Sequence, residues 1–153
     1  MAESEFVYVT YIRTTAEKLW RALTEPEFTR QFWMKTTQES EWTPGASWRI
    51  AMADGRIADS GEVVEIEPHK RLVLKWRNEL FPEMTAEGYS RMTYEMEEMG
   101  ETVKFTVTHI MGKSGSKFIR AVSSGWPMIL ASLKSLLETG ESLASTRHWP
   151  EGR

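Results

Sequence analysis

Apolar residues recur along this chain with two periods, and the places where one gives way to the other outline the fold. Residues 6–13 (FVYVTYIR) are rich in β-branched and aromatic side chains and predict a strand. Ala16, Leu19, Trp20 and Leu23 then fall at i, i+3, i+4 and i+7, the apolar stripe of a short helix. Thr14-Thr15-Ala16-Glu17 ahead of it fits a capping box, with Thr14 accepting the Glu17 amide and the Glu17 carboxylate reaching back. A second short helix is predicted over residues 25–33. Pro26 sits in its first turn, where a missing N–H costs nothing, and Phe28, Phe32 and Trp33 give it an apolar side.

After Pro44-Gly45 the period becomes two. Trp48, Ile50 and Met52 alternate with Ser47, Arg49 and Ala51, a half-buried strand. Asp54-Gly55 predicts a type I′ hairpin turn with both central residues at positive φ. The return strand, residues 56–67, contains Gly61, which marks a bulge or a close backbone approach. Beyond Pro68-His69-Lys70, Leu72, Leu74 and Trp76 form one face of the next strand, opposite Arg71, Val73, Lys75 and Arg77. Residues 78–88 are polar and read as a loop. One further strand carries Met92, Tyr94 and Met96; the next, residues 102–110, carries Val103, Phe105, Val107 and His109 on one face. Short connections make these strands an antiparallel meander.

Beyond a Gly/Ser/Lys linker at residues 112–117, an apolar pattern from Phe118 through Ile129, Leu130 and Leu133 to Leu137 predicts a long helix that Gly140 ends. Pro127 lies inside it and predicts a kink or a fresh helix start near Ser124. The tail, residues 141–153, is polar apart from Trp149 and is expected to fray. A curved sheet of about six strands needs its inner face covered, and the last helix is the long apolar element available to cover it. The chain therefore reads as α+β, an antiparallel sheet wrapped around a C-terminal helix, with two short helices after strand 1. Residues 1–153 read as a single domain whose ordered core runs over about residues 5–140.

Composition narrows the partners. With 19 Lys and Arg against 22 Asp and Glu, a formal charge of −3, the surface lacks the footprint of a nucleic-acid binder or of a protein drawn to anionic membranes. Cysteine is absent, which removes disulfides, thiolate nucleophiles and cysteine-ligated metals. No stretch reaches the ~20 apolar residues that span a bilayer, and residues 1–6 carry no secretory signal. The cytoplasm is the expected compartment. Seven Trp and nine Met suit either an adaptable core or an internal cavity lined by soft apolar groups.

Several segments together resemble one family. Residues 19–27 (LWRALTEPE) followed by Phe32-Trp33, Pro44-Gly45 before an aromatic strand, and residues 61–68 (GEVVEIEP) with Arg71-Leu72-Val73 carry the resemblance. His109 at the end of the last strand, and Gly125-Trp126 with Leu130 and Leu133, complete it. These are similar to the family named for homology to activators of a heat-shock chaperone ATPase. That family lies within the helix-grip (SRPBCC) superfamily of START domains, birch-pollen-type allergens and polyketide cyclases. The resemblance spans about Phe6 to Leu137 and implies a helix-grip fold with a cavity between sheet and helix, but no fixed catalytic set.

Candidate chemistry is sparse. His69 lies in a turn and His148 in the tail; His109 alone sits on an apolar strand face, where it serves as a hydrogen-bonded core residue or as a polar anchor or general acid. No metal-binding spacing, nucleophile elbow or phosphate loop is present, and no cofactor is implied. Carboxylates such as Glu62, Glu65 and Glu67 fall where solvated positions are expected. The expected ligand lining is Phe32, Trp33, Trp48, Trp76, Tyr94, Phe105, His109, Trp126 and Leu130. Three functions follow: binding of a small hydrophobic or amphipathic ligand, an interaction with a chaperone partner in a stress response, or cyclase- or hydrolase-type catalysis through His109 and Tyr94. Read as one domain, the chain is expected to depart from the eukaryotic activators of the resembled family, which add a separate N-terminal domain. The sequence sets no oligomeric state.

Overall fold

Period-two alternation along the chain becomes one antiparallel sheet of seven strands, with helices gathered on its inner side. The structure, a computed structural model, describes residues 3–147. In chain order the elements are β1 (Ser4–Ile12), α1 (Ala16–Thr24), α2 (Pro26–Phe32), β2 (Thr37–Ser40), β3 (Ser47–Ala51), β4 (Ile57–Glu67), β5 (Arg71–Asn78), α3 (Pro82–Thr85), β6 (Ser90–Met99), β7 (Thr102–Met111) and α4 (Lys117–Thr139). The strand order is β1-β7-β6-β5-β4-β3-β2. This is the helix-grip fold.

Register explains the inner face. Trp76 pairs with Gly61 on one side and Ser90 on the other, Met92 with His109, and Tyr94 with Leu72 and Val107. Directly opposed residues share a face, so these side chains line the concave side in rows. Val63, Leu72, Leu74, Met92, Tyr94, Phe105 and Val107 are buried there, and α4 contributes Phe118, Trp126, Ile129, Leu130, Leu133 and Leu136. The outer face carries the charges: Arg71 meets Glu65 and Glu95, and Lys75 meets Glu62.

Gly61 is a close backbone approach. A Cβ there collides with the Lys75 carbonyl, and the missing side chain lets Trp48 and Trp76, both paired to Gly61, bring their rings to 4.5 Å. The register shifts in β4 lie elsewhere, one opposite Ile50 and Ala51 and one between Val63 and Glu65.

Several local expectations are corrected. The N-cap of α1 is Thr15, not Thr14: Thr15 Oγ1 accepts the Lys18 amide, which shifts the cap one residue on and takes Glu17 out of capping-box position. The 52–56 turn is a three-residue hairpin. Gly55 donates to the Met52 carbonyl, Met52 donates to Arg56, and Gly55 alone has positive φ, 93°. A seventh strand, β2, comes from the polar segment TQES. Residues 82–85 form α3 inside the expected loop.

Pro127 starts no new helix, for α4 runs through it without a break. The loss is limited to one backbone hydrogen bond and a local clash, against buried Trp126, Ile129 and Leu130 on the same turns. At its ends α4 is capped by Ser116, which accepts the Ile119 amide, and by Gly140 at φ 87°. The segment after it docks instead of fraying. A 3-10 turn, Ala144–Thr146, is fixed by Thr146 Oγ1 donating to Ser132 Oγ at 2.6 Å and by the Met34 amide donating to the Thr146 carbonyl. His148 and Trp149 lie outside the described residues.

A candidate ligand cavity between sheet and helix

Where α4 crosses the ends of β4 and β5, side chains leave a cavity of about 150 Å³. Its floor is Trp76 with Asp59 and Asn78, its far wall Phe118, Trp126 and Ile129, and its sides Trp33, Met34, Phe81 and Met84. The gap persists because α4 presents Ala121 and Gly125, one turn apart, toward it; a Cβ on Gly125 meets nothing within 4 Å.

The side wall is held by specific bonds. Asn78 Oδ1 accepts the Leu80 and Phe81 amides at 2.9 Å each, which turns the chain out of β5 and sets Phe81 against the cavity. Glu87, just after α3, bonds the start of α4: it accepts Ser116 Oγ at 2.6 Å and the Lys117 amide at 2.8 Å. The connection bearing Phe81 and Met84 is thereby tied to the helix it faces.

Two polar groups stand at the floor. Asp59 occupies an inward position of β4, opposite Ile50 and Asn78, and is 8% exposed. Burial pushes its carboxyl up to about 7; the neighbouring Trp76 indole opposes the shift and the charge of Glu79 adds to it. The Trp76 indole N–H is itself buried without a hydrogen-bond partner of good geometry among the described residues. An apolar cavity thus ends in a carboxyl that no basic side chain pairs, beside an indole N–H that makes no well-formed hydrogen bond.

Of the residues expected to line a ligand site, Trp33, Trp76 and Trp126 border this cavity. Their rings meet pairwise at 5.3 to 6.0 Å. Phe32, Trp48, Tyr94, Phe105, His109 and Leu130 do not border it: they are buried in the packed core beneath α4. Trp48 donates its indole N–H to Gln38 at 3.0 Å, and Tyr94 packs on Phe105 and Trp126 at 5.3 and 6.0 Å.

His109 holds a relay. The Trp126 indole donates to His109 Nδ1 at 3.1 Å, so the imidazole proton sits on Nε2 and is given to Ser90 Oγ at 2.7 Å. Ser90 then donates to the Trp76 carbonyl at 2.8 Å. Burial lowers the His109 pKa to about 3, so the ring is neutral, with both nitrogens engaged. This chain joins α4 to β7, β6 and β5 and fixes two of the tryptophans beside the cavity. Tyr94 is also completely buried, and burial raises its hydroxyl pKa. Catalysis through His109 and Tyr94 therefore lacks access from the cavity.

Asp59, Asn78, Phe81, Met84, Phe118, Ala121 and Gly125 were not anticipated. Two signals were available: a carboxylate on the inward phase of a strand, and small residues four apart on one face of the long helix. No helix among the described residues is long and apolar enough to cross a membrane.

Solved structures share the architecture. A protein from Mesorhizobium loti is 24% identical, with 87% of this chain and 96% of that one covered at a TM-score of 0.73. The Aha1 dimer from Colwellia psychrerythraea is 18% identical, covering 93% and 100% at 0.73, and an HSP90 activator from Plasmodium falciparum 20%, covering 88% and 96% at 0.71. At these identities the likeness is one of fold. No curated protein matches the chain. The pattern of one family, described as Activator of Hsp90 ATPase homolog 1-like protein, matches residues 13–138, most of the described fold, and the chain belongs to that family.

Proposed function

We propose that this protein binds a small hydrophobic or amphipathic molecule in the cavity between sheet and α4. The observation that carries the reading is an aromatic-walled space ending in a buried carboxyl with the Trp76 indole N–H beside it. Apolar walls with a few convergent polar groups are the usual make-up of a ligand site. Its size, about 150 Å³, matches a single-ring molecule, since an engineered apolar cavity of that volume takes up benzene. The test compares the protein with Gly125→Leu, whose side chain projects into the space. Each is purified, denatured at once, and the released small molecules are identified by mass spectrometry. The reading expects a compound released by the parent and missing from the variant. Release of the same compounds by both, or of none, counts against it.

A second reading, contact with an Hsp90-type chaperone, is favoured by one surface feature besides the family. Val7, Val9 and Tyr11 form a row 43 to 50% exposed on β1, an edge strand. Unguarded apolar edges are sites of association. On this reading the protein stimulates the chaperone's ATP hydrolysis and Val9→Lys abolishes the stimulation; an unchanged hydrolysis rate with the parent protein contradicts it.

A further inference from the structure

The charge inventory of the cavity specifies its occupant more closely than its shape does. Among the thirteen residues around it there is one acid, Asp59, and no Lys, Arg or His. Nearby Arg77 is engaged by Glu79 at 2.7 Å, and Glu79 also accepts Ser60 Oγ. A buried carboxylate without a counter-charge is costly. That cost falls when a cation arrives, whereas a second anion raises it.

The remaining wall has the chemistry that cations select. Trp33, Trp76 and Trp126 border one space and lie at steep angles to one another in two of the three pairs, 65° and 69°. Indole faces attract an ammonium group through the ring quadrupole, an effect that grows when water is excluded. The Trp76 N–H stands beside Asp59 and favours its charged form, so the same side chain prepares the carboxylate and supplies a ring. We propose that the cavity selects a small organic cation, a protonated amine on a body of about one ring, with its ammonium on Asp59 and its apolar part against the three tryptophans. This proposal rests on the cavity being a ligand site, and it names the class of ligand.

Calorimetric titration with three probes of one shape separates the two claims: benzylammonium, benzyl alcohol and benzoate. The expected order is benzylammonium at least about tenfold tighter than benzyl alcohol, with benzoate showing no binding. Asp59→Asn, nearly isosteric and free of the buried charge, should bring benzylammonium down to the affinity of the alcohol. A cooperative urea transition for the variant reports an intact fold. If alcohol and cation bind the parent equally, or if the variant keeps the cation's advantage, the inference about charge is overturned and the cavity remains a ligand site. If benzoate binds best, the charge assignment is likewise overturned. If none of the three binds the parent protein, the inference and the ligand-site reading fall together.

Discussion

Burial moves the proton affinities of Asp59 and His109 in opposite directions, and each shift makes a signed prediction. The Asp59 pKa is about 7 against an ordinary 3.8, so the fold holds a proton that the unfolded chain releases. Its contribution to stability is complete below about pH 4 and is lost as pH rises through 7, a change on the order of 4 kcal/mol. Asp59→Asn should therefore be the more stable protein at pH 8, with the advantage shrinking toward pH 4, as read from urea midpoints at the two pH values. A parallel pH profile for both proteins contradicts the burial of this charge. His109 has the reverse sign. Its pKa falls from 6.5 to about 3, so stability is complete above 6.5 and drains away as pH falls toward 3. Asp54, Glu79, Glu87 and Glu138, all held below the ordinary carboxylate value, add losses of the same sign on the acid side. His109→Ala strands the Trp126 indole and leaves a void, a loss of about 2–4 kcal/mol. A loss below about 1 kcal/mol in denaturant titration would mean the relay is not structural. Histidine on an apolar strand phase was legible in the sequence. Its partners were not, because Trp126 lies seventeen positions away on another element.

Among the elements, strands and helices of five residues or more were readable and the four-residue β2 and α3 were not. β3 to β7 and α4 follow periods that run for many residues. β2 has only TQES, and its pairing with β3 depends on Trp48 and Ile50 facing Ser40 and Gln38. Four residues give too little periodicity to read. α3 is likewise one turn, and its position depends on Asn78 and Glu87 flanking it. Pro127 misled as to a fresh helix start because its local penalty is visible in sequence while the burial on either side is not. Capping predicts modest effects here. Ser116→Ala removes the acceptor for Ile119 and the donor to Glu87 and should cost about 1 kcal/mol. Gly125→Ala should act the other way: its Cβ enters open space, and alanine favours a helix over glycine by about 1 kcal/mol. Chemical denaturation of both variants checks the pair, and destabilisation by Gly125→Ala would show the gap beside α4 to be already filled.

For the whole molecule, fold and family were legible because a sheet with one apolar face and a single long apolar helix have few ways to pack. The location of the cavity was only partly so. Alternation identifies every residue facing inward, including Phe105, Tyr94 and His109, but not where the helix stands away from the sheet. That separation is set by the small residues of α4 and by the wall from α3, and it selects Trp33, Trp76 and Trp126 from the larger inward set. On the proposed function this space accepts a small molecule. A nitrogen-edited NMR titration with toluene, following the tryptophan indole signals, tests it most directly. Saturable shifts are expected at the indoles of Trp33, Trp76 and Trp126, absent from Gly125→Leu. Shifts that are missing in the parent protein, or that persist undiminished in the variant, would contradict it.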